Sequence, residues 1–350
     1  MRIFDTFPFD GELALLEHRL AQTYELVDVF VLVEAAETYS GAPKELTFAR
    51  HRERFAWADP KLRVIQLQSL GPAPTPRQRA AFQRDAIRLG LRDAEPDDAV
   101  LLLDADEIVS PELLRRLRAQ GIDQPRRLRM TRHYEHAGAL APRSPCCPLP
   151  ALPFQSATPY QRPGSWDALD DRWFSRSGVV APFRALRERS AFDVRFGEIA
   201  AAPLDDAGRH FSSVEARLEE KIRRVFHTEW DGERERRPVH LRRCRAHGVH
   251  HRGWWYAEQP DGPLPEDVER LAERLPAAMP FPPLWRRRLV RTWAWVRLAR
   301  AWPEGVVAAV DRHFESLLPL LALPLLAADA LRAQAAIRMK PRPDIPSANS

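Results

Sequence analysis

With 350 residues, 45% hydrophobic and 29% charged, the chain can bury a full core and is too apolar for wholesale disorder. Its formal charge of +5 favours anionic partners such as nucleotide phosphates or acidic lipid. That excess is nearly all arginine, with lysine only at 44, 61, 221 and 340; beside 32 prolines and many alanines it reads as the imprint of a GC-rich, bacterial genome.

Arginines are interspersed with acids over the first 250 residues, which argues against nucleic acid as a partner. Three cysteines, two of them adjacent (Cys146, Cys147, Cys244), make no disulfide framework for a chain of this length. The N-terminus lacks an apolar signal region, and no run of about 18 apolar residues occurs. The expectation is a cytoplasmic protein, peripheral at the inner face of the cell membrane if it meets a membrane at all.

In chain order, Leu13, Leu16, Leu20 and Tyr24 recur at helical spacing, with Asp10 as the expected N-cap. "VDVFVLVE" (27–34) is a continuous apolar run of strand length, as in a parallel strand covered on both faces. "LRVIQL" (62–67) reads as a second strand. The stretch 75–94 reads as a helix with Pro76 in its first turn and Phe82, Ala86 and Leu89 on one face. "AVLLL" (99–103) is a third strand, Ser110-Pro111 opens the next helix, and "LRMTRHY" (128–134) is a fourth strand. This alternation predicts an α/β domain with a mostly parallel, Rossmann-like sheet flanked by helices.

Beyond it, 138–165 is rich in Pro and Ser and reads as a long loop. Short strand-like pieces run to about 212. A helix follows over 212–230, with Val214, Leu218, Ile222 and Val225 on its inner face. A linker-like 258–269 precedes a helical C-terminal extension and a tail at 341–350. The expected division is therefore 1–257, 258–340 and 341–350.

The chemistry concentrates in "LLLDADEIVS". Asp104 and Asp106 lie just past the end of an apolar strand, where parallel α/β sheets place their ligands. Hard carboxylate oxygens one residue apart suit Mg²⁺ or Mn²⁺, which bridge to substrate phosphates and neutralise a leaving diphosphate. The same acids could instead cap the helix that starts at Ser110.

The segments "FDTFPFDGELALLEHRL", "VDVFVLVEAAETYSGAPKEL", "FQRDAI", "DDAVLLLDADEI" and "AGRHFSSVEARLEEKIRRVFHTEW", in that order, resemble glycosyltransferase family seventeen. That is the family of the β-1,4-mannosyl-glycoprotein N-acetylglucosaminyltransferase, with many bacterial relatives; the resemblance spans roughly 3–255. It implies a GT-A type fold and an inverting transfer, with a divalent metal (Mn²⁺ or Mg²⁺) as cofactor. It also implies a nucleotide-sugar donor, UDP-GlcNAc by expectation, and a glycan acceptor.

Position by position, the resemblance makes Asp104, Asp106 and His210 the metal ligands and Asp106 and Glu107 the catalytic acids. Glu34, Lys44, Arg84, Asp104 and Lys221 become donor-binding residues, with Thr38 and Gly41 in the loop that carries Lys44. His210 stands in the family's Gly-Trp-His motif, although Arg209 replaces the usual Trp. Lys221 and His227 match a family Lys and His, and Lys221 shares a helix face with Arg224. An inverting transfer needs one general base. Asp193, Glu198, Asp206 and Glu229 are the candidates, with Glu198 and Glu229 foremost, and no spacing separates them.

Two clusters compete for attention. Cys244, His247, His250 and His251 have zinc-like spacing, but the resemblance assigns that stretch no metal, and Trp254, Trp255 and Tyr256 read as core or a sugar-stacking platform. The segment 284–302, with Arg among Trp285, Trp293, Trp295 and Trp302, fits either a membrane surface or an amphipathic helix packed on the domain. A non-catalytic surface-binding protein acting through those helices is the rival reading. Nucleotidyl transfer would require a Gly-rich phosphate loop, which the sequence lacks.

Overall fold

"IFDTFPF", passed over in the sequence reading because Asp5 and Pro8 interrupt its apolar run, is the central strand β1 (Ile3–Phe9), wholly buried. The computed structural model describes residues 1–72, 75–134, 136–140, 178–215, 241 and 264–275. All lie in one unit formed by 1–143, 173–241 and 257–279; the chain's second unit falls outside the described residues. The Cys/His cluster, the Trp-rich segment, most of the 138–165 loop and all but the first residues of the 212–230 helix also lie outside them.

Around β1 stand β2 (Val29–Ala35), β3 (Leu62–Leu67) and β4 (Ala99–Leu102), then β5 (Glu107–Val109), β6 (Arg126–Tyr134), β7 (His136–Leu140), β8 (Val179–Pro182) and β9 (Leu204–Ser212). Their order is β3-β2-β1-β4-β8-β6-β9-β5, with β7 on β6. β3, β2, β1 and β4 are parallel. β8 runs antiparallel between β4 and β6, β6 and β9 pair parallel, and β5 closes antiparallel on β9. The sheet is therefore mixed: its first half has the 3-2-1-4 order of a Rossmann-like fold, and the expected parallel character stops at β4.

Side chains of β4 alternate between two cores, as a strand covered on both faces requires. Leu101 and Leu103 join Leu16 and Leu20 of helix α1 (Leu13–Thr23) and Leu113, Leu114 and Leu117 of α4 (Pro111–Gln120). Val100 and Leu102 face Ile87, Leu186, Ala191 and Val194. The short helix α2 (Thr47–Arg50) follows β2, and α3 (Pro76–Asp85) precedes β4. α5 (Ala185–Glu188) and α6 (Ala191–Phe196) follow β8, and α7 (Glu266–Arg274) comes last.

Several expectations change. Asp10 does not cap α1; the Glu215 carboxylate does, accepting the N–H groups of Ala14 and Leu15 at 2.8 Å each. Ser110 caps α4 as expected, its hydroxyl accepting the Leu113 N–H. α3 stops at Asp85 and tightens into a 3₁₀ turn, Ala86–Gly90. Its buried face carries Gln83 and Arg84, whereas Phe82 and Leu89 are exposed. Polar groups win that face because Gln83 donates to the Val33 carbonyl at 2.8 Å and Arg84 to the Leu103 carbonyl at 2.9 Å. Residues 266–269, read as linker, are the acidic first turn of α7.

Candidate active site

β1 leads to β2 on one side while β4 lies on its other side, so the strand order reverses between β1 and β4. The crevice beyond their carboxyl ends is where an open α/β sheet binds ligand. There the chain turns through Asp104, Ala105 and Asp106 before entering β5. Three buried arginines from three helices hold this turn by its backbone. Arg195 of α6 donates to the Leu102 carbonyl at 3.0 Å, and Arg84 of α3 to that of Leu103. Arg19 of α1 donates to those of Asp104 at 2.9 Å and Ala105 at 3.3 Å. The next carbonyl, Asp106, accepts the Phe211 N–H at 2.7 Å.

Each guanidinium is charge-balanced, as a buried cation must be. Arg19 makes a two-pronged pair with Asp5 inside the core, at 2.7 and 2.6 Å. Arg84 ion-pairs with one oxygen of Asp104, and Arg195 reaches the other at 2.8 Å. Arg195 also meets Glu107 at 2.9 Å. Burial works to raise the Asp104 pKa, but Arg195 and Arg84 outweigh it and hold that carboxyl well below the usual carboxylate range. Burial likewise opposes the charge on Arg195, and Asp104 and Glu107 overcome it and raise its pKa. Glu107 has no exposed surface; its second oxygen accepts the Asp104 N–H at 2.8 Å. It supports the turn from within.

His210 arrives from β9, whose antiparallel register places it opposite Glu107. Its Nε2 lies 3.4 Å from Asp106 Oδ1 and its Nδ1 3.9 Å from Glu107 Oε1. Two ligand atoms at right angles on a Mg²⁺-sized ion stand about 3 Å apart. Asp106 and His210 therefore fit adjacent positions on one cation. Asp104, with both oxygens taken by guanidinium groups, joins the turn beside that pair without completing a triad. Among the described residues no group of three or more His, Cys, Asp or Glu is placed to hold a metal ion.

The rim of the crevice comes from the loop after β2. Thr38 closes it, its hydroxyl accepting the Ala42 N–H at 3.1 Å, and Gly41 takes the left-handed conformation (φ +88°) that the turn needs. Lys44 Nζ stands 2.8 Å from Asp10, the residue just past β1. Glu34 ends β2 wholly buried and accepts the Phe48 N–H, with its oxygens at 3.0 and 3.2 Å. Burial raises its pKa, partly countered by that N–H and by Lys44. Tyr39 also faces this group. Burial pushes its phenol well above the usual value, Arg84 pulls it back, and Asp10, Asp104 and Glu12 add to the rise.

Asp104, Asp106, Glu107, Arg84 and His210 are thus brought together, with Lys44 and Glu34 on the neighbouring loop; Lys221 and Glu229 lie outside the described residues. Asp193 accepts from the Ser190 hydroxyl at the start of α6, at 2.8 Å. Glu198 and Asp206 are exposed. Sequence reasoning missed Arg19, Asp5, Arg195 and Tyr39. A signal existed for the first pair: a charged residue among Leu15, Leu16 and Leu20 on a helix, and an acid within an apolar strand.

Residues 1–137 match the model of glycosyltransferase family 17, about two-fifths of the 350-residue chain. The match includes the arginine-held turn and ends before β9, so His210 lies beyond it. A solved structure that resembles the chain is the galactosyltransferase LgtC in complex with donor and acceptor sugar analogues, at 15% identity and a TM-score of 0.30. The alignment covers 55% of this chain and 62% of that one, under two thirds of the LgtC length. So distant a likeness transfers no residue and no substrate. A search of curated proteins returns no match. The family match and the site's position in the sheet support a role in glycosyl transfer.

Proposed function

We propose that the chain is an inverting, metal-dependent glycosyltransferase. It moves a GlcNAc-like sugar from a nucleotide-diphosphate donor, UDP-GlcNAc by family resemblance, to a hydroxyl of a glycan acceptor. The observation that carries this reading is the pairing of Asp106 with His210, at 3.4 Å, beside the arginine-held Asp104 at the carboxyl end of β4. Asp106 and His210 would hold Mn²⁺ or Mg²⁺. When bound, the cation supplies positive charge to the leaving diphosphate.

The protein's own residues do the rest. Arg84 and Arg195 keep Asp104 ionised and its carboxylate fixed. Glu107 neutralises Arg195 and holds the Asp104 N–H, so the turn cannot open toward the core. Lys44, on the rim beside Asp10, is a point charge suited to a donor phosphate.

A panel of nucleotide-sugars, screened for Mn²⁺-dependent thermal stabilisation, tests the proposal. One donor should raise the melting temperature only when Mn²⁺ is present, and Asp106→Asn should abolish the rise. Neither stabilisation nor donor turnover across the panel would sink it.

A further inference from the structure

Arg19 is more than the partner of Asp5. A buried pair needs only its own two groups to be balanced, and Asp5 already engages the guanidinium through Nε and Nη2. The remaining Nη1 extends past the pair to two carbonyl oxygens in succession, those of Asp104 and Ala105. The guanidinium also lies over the Phe7 ring, 4.0 Å from its centroid, which fixes its plane. Neither Arg19 nor Asp5 has any exposed surface, so neither can touch a ligand; any effect on the site passes through the backbone.

That backbone decides where both acids stand. Arg84 and Arg195 grip the Asp104 side chain and the carbonyls before it. They leave the Asp104 and Ala105 peptide groups to Arg19 alone among the three arginines. Without that grip the backbone angles of the turn are free to change, and with them the direction in which Asp106 leaves the chain toward His210. A charged donor on an sp² oxygen is among the stronger neutral-acceptor bonds, and here it acts in a dry interior.

We propose that Arg19 is a positioning residue of the donor site: held in the core by Asp5, it locks the carbonyls of Asp104 and Ala105 and so sets the turn that presents Asp104 and Asp106. The proposal rests on the donor-site reading for its catalytic consequence but not for its structural one.

The test separates a positioning role from a merely structural one. Asp5→Leu with Arg19→Met replaces the buried pair by apolar side chains, a change that often leaves stability intact. Three amides report the turn: Asp104 N–H on Glu107, Glu107 N–H on the Asp104 carbonyl, and Phe211 N–H on the Asp106 carbonyl. With the urea midpoint near that of the parent, these amides should exchange with deuterium at least about tenfold faster, while those of β2 keep their rates. Mn²⁺-dependent donor turnover should fall roughly 10- to 100-fold in kcat with KM little changed, the size of effect seen when a supporting residue behind a site is lost.

Unchanged exchange or undiminished kcat in the folded double variant overturns the proposal. Should that variant fail to fold, Arg19→Lys decides. Its single ammonium can keep Asp5 but cannot also span two carbonyls, so the same faster exchange and lower kcat are expected, and full retention of both overturns the idea. If the parent protein turns over no nucleotide-sugar, the function proposed above fails, and the exchange measurement alone judges Arg19.

Discussion

Arg195 is the residue on which the acidic turn depends most directly, because its Nη2 donates to both Asp104 and Glu107. Replacing it by methionine keeps an unbranched stem but removes the guanidinium, and strands the fully buried Glu107 without its cation. Breaking one side of a buried pair costs about 3–5 kcal/mol. Arg195→Met should therefore lower the urea midpoint by that equivalent, and a change under about 1 kcal/mol would show that Glu107 finds another partner. Asp106→Asn should leave the midpoint nearly unchanged and abolish Mn²⁺-dependent donor binding by calorimetry. Asp104→Asn should do both kinds of damage, since Arg84 loses its counter-charge and Arg195 is left with Glu107 alone of its two carboxylates. Asp104, Asp106, Arg84 and His210 were legible because they sit in a motif or beside one. Arg195 was not, because an isolated arginine in a helix is by default a surface residue, and Arg19 showed only as a charge among the buried leucines of α1.

At the scale of elements, α3 and β9 carry the site and are the places where local sequence rules bent. The helical pattern over 75–94 predicted one long helix with Phe82, Ala86 and Leu89 on one face. The helix ends early because Gly90 packs on β2: a Cβ there would lie 2.4 Å from Val31 Cγ1, so a tighter 3₁₀ turn brings the chain in. The start of α3 was read correctly, and Thr75 makes a reciprocal capping box with Gln78. Thr75→Ala should cost about 1 kcal/mol and, by loosening the helix that bears Arg84, raise the donor KM more than it lowers kcat. In β9, Gly208 has φ +141°, and a Cβ would meet the Ile108 carbonyl at 2.1 Å. Gly208→Ala should split β5 from β9, moving His210 out of register with Glu107 and removing cation-dependent donor binding. A crystal structure or exchange data showing the β5–β9 pairing intact in that variant would contradict this. Strand-like pieces were expected up to about 212, but nothing in "LDDAGRHFS" foretold its partners, since its alternation is polar and its pairing is set by distant β6 and β5.

For the molecule as a whole, β2, β3 and β4 of the parallel half were readable from their apolar runs, whereas the order β8-β6-β9-β5 depends on long-range pairings between weakly patterned strands. That second half is also where acid should act first. Behind β9, on the face away from His210, Arg209 and Phe211 meet α1 and α7, and Arg209 forms an ion pair with Asp267. Two buried histidines share the layer. His18 packs edge-on to Phe211; its pKa is pushed down to about 4 by burial, with Asp267 opposing and Arg274, Arg270 and Arg209 reinforcing. His133 stacks on Phe211 and is pushed down to about 3 by burial and Arg209, with the Ala137 carbonyl and Asp267 opposing and His210 reinforcing.

A folded-state pKa below the ordinary value of 6.5 means that, as pH falls from 6.5 toward 4, the unfolded chain takes up protons that the folded chain refuses. Stability is then full above about 6.5 and drains away on acidification. For His18 the upper limit is on the order of 3 kcal/mol. Asp104 adds a second loss that begins as pH falls through the ordinary carboxylate range, where the unfolded chain takes up a proton that the folded carboxylate, held by Arg195 and Arg84, refuses. Glu34, with its pKa raised, has the opposite sign and slightly offsets both. Urea midpoints of the parent and of His18→Phe at pH 7 and pH 4.5 isolate the first stage. The two proteins should be close at pH 7, and the variant should lose clearly less on acidification. Parallel losses would place the acid sensitivity elsewhere than the layer between α1, β9 and α7.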